Sequence, residues 1–186
     1  MRTKKRCVNV KATILCGSAD MHGVTESMCT KVASSLESRG YDVVIYRLGE
    51  MDIGHCRDCG GCREGGCVIE DDMQKIYDSF SESDILVLST PIHYSGPSSL
   101  IKTAIDRFQI YWQKDISHPS FCIGMMCGGS DNPNFEYTER IFRAFSISVR
   151  MEYRGSYTVS GTDRGCPDIA EGIEHFISKV IAGKGR

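Results

Sequence analysis

Five short apolar runs alternate with stretches of helical periodicity along this chain, and that alternation leaves few folds open. The runs are Val10 to Cys16, Tyr41 to Tyr46, Ile85 to Leu88, Phe121 to Cys127 and Met151 to Ser160. Ile85 to Leu88 is the most apolar of the first three and reads as central, since a strand buried on both faces needs near-continuous apolar character. Met151 to Ser160 alternates and reads as an outer strand. Between the runs, Met28, Cys29, Val32, Ala33 and Leu36 share one helical face that closes at Gly40, a C-cap. Met73, Ile76, Tyr77 and Phe80 form a second stripe. Leu100 to Phe108, Phe135 to Phe145 and Ile169 to Ile181 carry three more. The pattern predicts an α/β domain over 10–186, a doubly wound five-stranded parallel sheet with helices on both faces, after a basic leader at 1–9.

In such a sheet, ligands bind outside the carboxyl ends of the strands. Gly17-Ser18-Ala19-Asp20-Met21-His22-Gly23-Val24-Thr25 joins the first strand to the first helix there, placing amides and hydroxyls at a helix N-terminus, where phosphate is stabilised. Thr90-Pro91-Ile92-His93-Tyr94-Ser95-Gly96-Pro97 reads as a loop suited to a flat ring. Cys127-Gly128-Gly129-Ser130-Asp131 offers small residues, past which a ring could pass closely. His93 is the candidate proton donor, because its charge changes near neutrality; a structural hydrogen-bonding role competes with that reading.

Cys56, Cys59, Cys62 and Cys67 stand at spacing C-x2-C-x2-C-x4-C within the loop 55–67. Glycines let this segment curl around a common centre, and Arg57 and Arg63 favour ionised thiols. Four such ligands suit an iron–sulfur cluster. A zinc site, an emptied or redox-thiol loop and a disulfide are the alternatives; zinc usually joins two separated knuckles, and a cell-interior protein keeps thiols reduced. Ten cysteines without a secretory signal favour metal or redox use and a cytoplasmic setting. A net charge of −2 and the lack of a bilayer-length apolar run give no reason to expect nucleic acid or membrane as partner.

Taken together, Gly17-Ser18 with Thr25, the cysteine loop followed by Asp71-Asp72-Met73, Ser83-Asp84, Thr90-Pro91 and Lys102 with Asp106-Arg107 resemble the flavodoxin-like NADPH-dependent FMN reductase superfamily, and within it the iron–sulfur flavoproteins. The resemblance covers about residue 10 to residue 160. It implies strand order 2-1-3-4-5, bound FMN, and a homodimer or homotetramer. It implies that Gly17, Ser18, Val24 and Thr25 lie at the FMN phosphate. Pro91, Ile92, His93, Tyr94, Ser95 and Gly96 would line the isoalloxazine, with Cys127, Gly128 and Gly129 flanking it. Cys56, Cys59, Cys62 and Cys67 would hold a 4Fe-4S cluster.

Three departures bear on this. Ala19-Asp20 stands where relatives commonly have Pro-Arg, Val24 where Asn is usual, and Tyr94 one place later than in the common Pro-x-Tyr. They predict weaker FMN binding, with Asp20 turned to solvent. The implied activity is a flavin-dependent oxidoreductase coupling FMN to the cluster, with NAD(P)H as a transient donor and a ferredoxin-like protein, a quinone or a free flavin as redox partner. The alternatives are an NAD(P)H-dependent FMN or quinone reductase without a working cluster, and a non-enzymatic electron carrier. His55 reads as a solvated neighbour of the loop. Cys7, Cys16, Cys29, Cys122 and Cys166 read as buried or incidental thiols. Lys102, Asp106 and Arg107 read as fixing a helix and an intersubunit surface, and Tyr111 and Trp112 as interface or core.

Overall fold

The computed structural model describes residues 10–183; the expected basic leader at 1–9, with Cys7, lies outside them. The elements follow in the order β1 Val10–Cys16, α1 Val24–Glu37, β2 Tyr41–Arg47, α2 Gly61–Glu64, α3 Met73–Glu82, β3 Ile85–His93, β4 Gly96–Pro97, α4 Ser99–Arg107, α5 Gln109–Gln113, β5 Phe121–Cys127, α6 Glu136–Ser148, β6 Glu152–Val159 and α7 Ala170–Ala182. Short 3-10 turns cover Leu48–Glu50 and Thr162–Arg164.

Strands β2-β1-β3-β5-β6 pair in that order, all parallel, and β4 pairs antiparallel with the end of β3. The order of the parallel strands is the implied one, but the sheet has six strands and not five. The extra strand arises where a loop was expected. Pro91 pairs with Cys127, so β3 continues through Ile92 and His93 before turning back. Tyr94 (φ 50°) and Ser95 (φ 65°) supply the turn, both in the left-handed region that a tight two-residue hairpin demands. Neither is glycine, which is why the turn is hard to see in the sequence. The helices α2 and α5 were also unforeseen; both are short and carry no readable stripe.

Alternation along the strands builds two cores. Ala12, Ile14 and Cys16 of β1, Ile85 and Val87 of β3, and Phe121, Ile123 and Met125 of β5 point to one face, where α1 and α7 cover them. Leu15, Leu86, Leu88, Cys122 and Met126 point to the other, under α3, α4, α5 and α6. Each fully buried side chain contributes about 1.5–3 kcal/mol of apolar transfer, so both faces are strongly specified. On the second face Phe80 lies 4.7 Å from Phe108 and 4.6 Å from Tyr111, ring centre to ring centre. Tyr111 is core, whereas its neighbour Trp112 is 58% exposed. Among the described residues, no helix is long and apolar enough to cross a membrane.

Candidate functional site

The carboxyl ends of β1, β3 and β5 frame a cavity of about 760 Å³, within the usual range for a small-molecule site. Gly17, Ser18, Val24, Thr25, Pro91, His93 and Cys127 line it. The first turn of α1 opens there, and its N-cap, Gly23, offers no side-chain acceptor. The turn's amides therefore suit an anion such as phosphate. Gly17 has no room for a side chain: a Cβ would stand 2.8 Å from Ile101 Cβ and 3.0 Å from both Ser89 O and Ser98 Oγ.

Asp20 is exposed yet lines the cavity and is not turned away from it: its carboxylate stands beside Gly23 at the start of α1 and accepts the His22 amide at 2.9 Å. One loop N–H thereby goes to the chain's own acid. Ser18 Oγ likewise accepts from the Asp20 amide at 3.1 Å. Thr25 is buried, with Oγ1 3.2 Å from Cys127 Sγ. Burial pushes the Cys127 thiol up, and either group can donate across the Thr25–Cys127 contact. Ser98, Leu100, Thr162, Gly165 and Cys166 complete the walls. They come from segments distant in sequence and carry no local motif. Cys166 is exposed at this cavity, not incidental, while Cys16, Cys29 and Cys122 are buried as expected.

Ile92, Tyr94, Ser95, Gly128 and Gly129 line a second, polar cavity of about 490 Å³, with Asn132, Asn134 and Asp163. The β3–β4 hairpin is a wall of both, with His93 on the first and Tyr94, wholly exposed, on the second. Gly96 lines neither. Neither Gly128 nor Gly129 could carry a side chain: a Cβ on Gly128 would meet Pro133 at 2.4 Å, and one on Gly129 would meet Asp163 at 2.2 Å.

None of the loop cysteines lines either cavity. Cys56, Cys62 and Cys67 are half-buried and Cys59 is exposed, and none is in a disulfide. The Cys62 thiol is raised by burial and then by its neighbours Cys67, Cys56 and Cys59. Asp58 (φ 48°) and Gly60 (φ 75°) give the loop its turns. Among the described residues, no three His, Cys, Asp or Glu side chains are grouped to hold a single metal ion. In a cubane each thiolate binds its own iron, so the sulfurs spread over the cluster and need not meet at a point. Four thiols in one segment match the donor chemistry of a cluster, whereas structural zinc usually joins two separated knuckles.

Arg107 is not at a surface. It is 1% exposed and forms a buried ion pair with Asp71, its Nη1 2.5 Å from Asp71 Oδ2. Lys102 and Asp106 do pair on the helix surface, at 2.7 Å.

The NADPH-dependent FMN reductase family matches residues 10–163 of this chain. The chain belongs to that family. Like it, the protein is a flavin-dependent oxidoreductase, and the family's flavin is FMN. An iron-sulfur flavoprotein of Archaeoglobus fulgidus is 32% identical over 164 residues, covering 86% of this chain and 74% of the relative. An iron-sulfur flavoprotein of Methanosarcina thermophila is 24% identical, covering 69% of each. The structure of an NAD(P)H:quinone oxidoreductase from Methanothermobacter marburgensis superposes with a TM-score of 0.72 at 13% identity, covering 96% of this chain and 98% of that one. At that identity it speaks for the fold.

Proposed function

We propose that this FMN reductase family member binds FMN in the larger cavity and carries a 4Fe-4S cluster on Cys56, Cys59, Cys62 and Cys67. The observation that carries the FMN half is that Gly17, Ser18, Val24, Thr25, Pro91, His93 and Cys127, from three separate loops, line one cavity. Ser18, Thr25 and the first-turn amides of α1 hold the phosphate. Pro91 and His93, with Ile92, Tyr94 and Ser95 across the hairpin, border the ring. His93 holds or moves a proton at a ring nitrogen on the cavity wall. Bound flavin supplies hydride and single-electron chemistry, and the cluster supplies single-electron transfer. NAD(P)H lands transiently on the flavin face.

Because no loop cysteine borders the flavin cavity within one chain, the two centres meet in a homodimer or homotetramer. An apolar groove of about 260 Å³ with Phe108, Trp112, Ile141 and Phe145 supports a second copy as its cover. The redox partner is a ferredoxin-like protein, a quinone or a free flavin, in the cell interior. A second reading, an NAD(P)H-dependent FMN or quinone reductase without a cluster, draws on the FMN reductase family match alone.

Anaerobic purification with iron, acid-labile sulfide and flavin analysis decides between them. The proposal expects about four irons and four sulfides per chain, as the cluster formula requires, beside one FMN. Flavin without iron after anaerobic reconstitution leaves the second reading standing. Protein that takes up neither ends both.

A further inference from the structure

Both ends of the cysteine loop meet on one buried cation. Arg107 Nη1 donates to Gly54 O at 2.7 Å, and Nη2 donates to Ile69 O at 3.3 Å and to Asp71 Oδ1 at 3.1 Å. Gly54 stands two residues before Cys56, and Ile69 two residues after Cys67. The Asp71 carboxylate in turn accepts from the Gly54 amide at 2.9 Å and the Met73 amide at 3.0 Å. One guanidinium–carboxylate pair thus touches the chain where it enters the loop and where it leaves. The Tyr77 hydroxyl donates to the Arg107 carbonyl at 2.6 Å, holding the last turn of α4 against α3. Arg107 Nε is buried with no partner among the described residues.

A buried ion pair is a poor device for stability alone, because desolvation offsets most of its attraction and an apolar pair of like volume often serves as well. Its other properties are fixed geometry and local charge. The planar fork of arginine reaches two carbonyls and a carboxylate at once, which no apolar contact reproduces. The pair is neutral as a unit, so it meets the chain two residues from Cys56 and from Cys67 without adding net charge.

We infer that Arg107 and Asp71 are positioning residues of the cysteine loop: they fix the backbone on either side of Cys56 and Cys67 and keep the charge beside the thiolates balanced. This rests on reading the loop as a cluster site. The latch is made of protein groups only, so it needs no iron ligand to form. A loop held at both ends loses less conformational freedom when a cluster binds.

The test compares Asp71→Asn, Arg107→Gln and the double variant with the parent protein. Hydrogen exchange is followed on cluster-free protein, and the cluster midpoint potential on reconstituted protein. Either single variant is expected to speed exchange in segment 54–70 by about tenfold or more, with β1 and β5 unchanged. Asp71→Asn leaves a bare guanidinium and raises the potential; Arg107→Gln leaves a bare carboxylate and lowers it; the double variant returns towards the parent value. A role in stability alone moves melting without shifts of opposite sign. Unchanged exchange in 54–70, or potential shifts of one sign, overturns the inference. If Arg107→Gln does not fold, Asp71→Asn, of nearly the same shape, carries the test through exchange and the sign of its shift. If the parent protein takes up no iron and sulfide, the cluster reading fails and exchange alone decides the latch.

Discussion

The Thr25 hydroxyl and the Cys127 thiol lie 3.2 Å apart, joining the first turn of α1 to the end of β5 at the wall of the larger cavity. The threonine hydroxyl can turn from the sulfur to a ligand in the cavity. Thr25→Val removes that donor and keeps the shape. It should weaken FMN binding by roughly 10- to 100-fold, the range for a hydrogen bond to a charged group (about 1.5–3 kcal/mol), in a flavin-fluorescence titration. An unchanged Kd would remove Thr25 from the phosphate site.

Gly17→Ala drives a methyl group into Ile101, the Ser89 carbonyl and the Ser98 hydroxyl. Overpacking of this kind costs about 1–3 kcal/mol. The urea midpoint should fall accordingly, with FMN affinity falling too because the same movement displaces the phosphate loop. A variant of parental stability and affinity would mean that the loop relaxes freely.

Phe80 is fully buried between Phe108 and Tyr111. Truncation to alanine should cost about 3–5 kcal/mol, since a large cavity opens in a rigid aromatic cluster. Urea unfolding with an unchanged m-value is the measurement, and a loss below about 1 kcal/mol would show that the cluster collapses around the gap.

Glu174 on α7 is held down to about 2 by Arg39 and then by Ser35, both on or next to α1. A lowered folded-state pKa gives stability that is present above the unfolded value, about 4.3, and lost as pH falls towards about 2. Glu174→Gln should lower Tm at pH 6, and the gap from the parent should close between about pH 4.5 and 2. A gap independent of pH would place the effect elsewhere. The side chain is half exposed, so the gap should also shrink with salt.

The positions of the parallel strands and the two faces of the sheet were legible because they rest on local patterns, the apolar period along each strand and helix; the order of the strands came from the resemblance, since pairing partners are not a local property. The β3–β4 hairpin was not legible. Pro91 reads as a breaker, yet parallel pairing to Cys127 carries the strand past it, and Tyr94 and Ser95 adopt a backbone their residue types rarely choose. Cys166 and Thr162 reach the cavity through the turn after β6, and nothing near them in sequence marks that approach.

The clearest division falls at Arg107. Its neighbour Asp106 is solvent-facing and paired along the helix, as a charged helical stretch suggests. The sequence by itself determined that a parallel sheet would gather these loops at one edge and that four cysteines would share one segment, since both follow from order along the chain. Only the tertiary structure decided that Arg107 turns inward to meet Asp71, and that the cysteines lie away from the flavin cavity of their own chain. Those depend on which faces pack together, and burial of a charge is set by a partner 36 residues away, not by its neighbours.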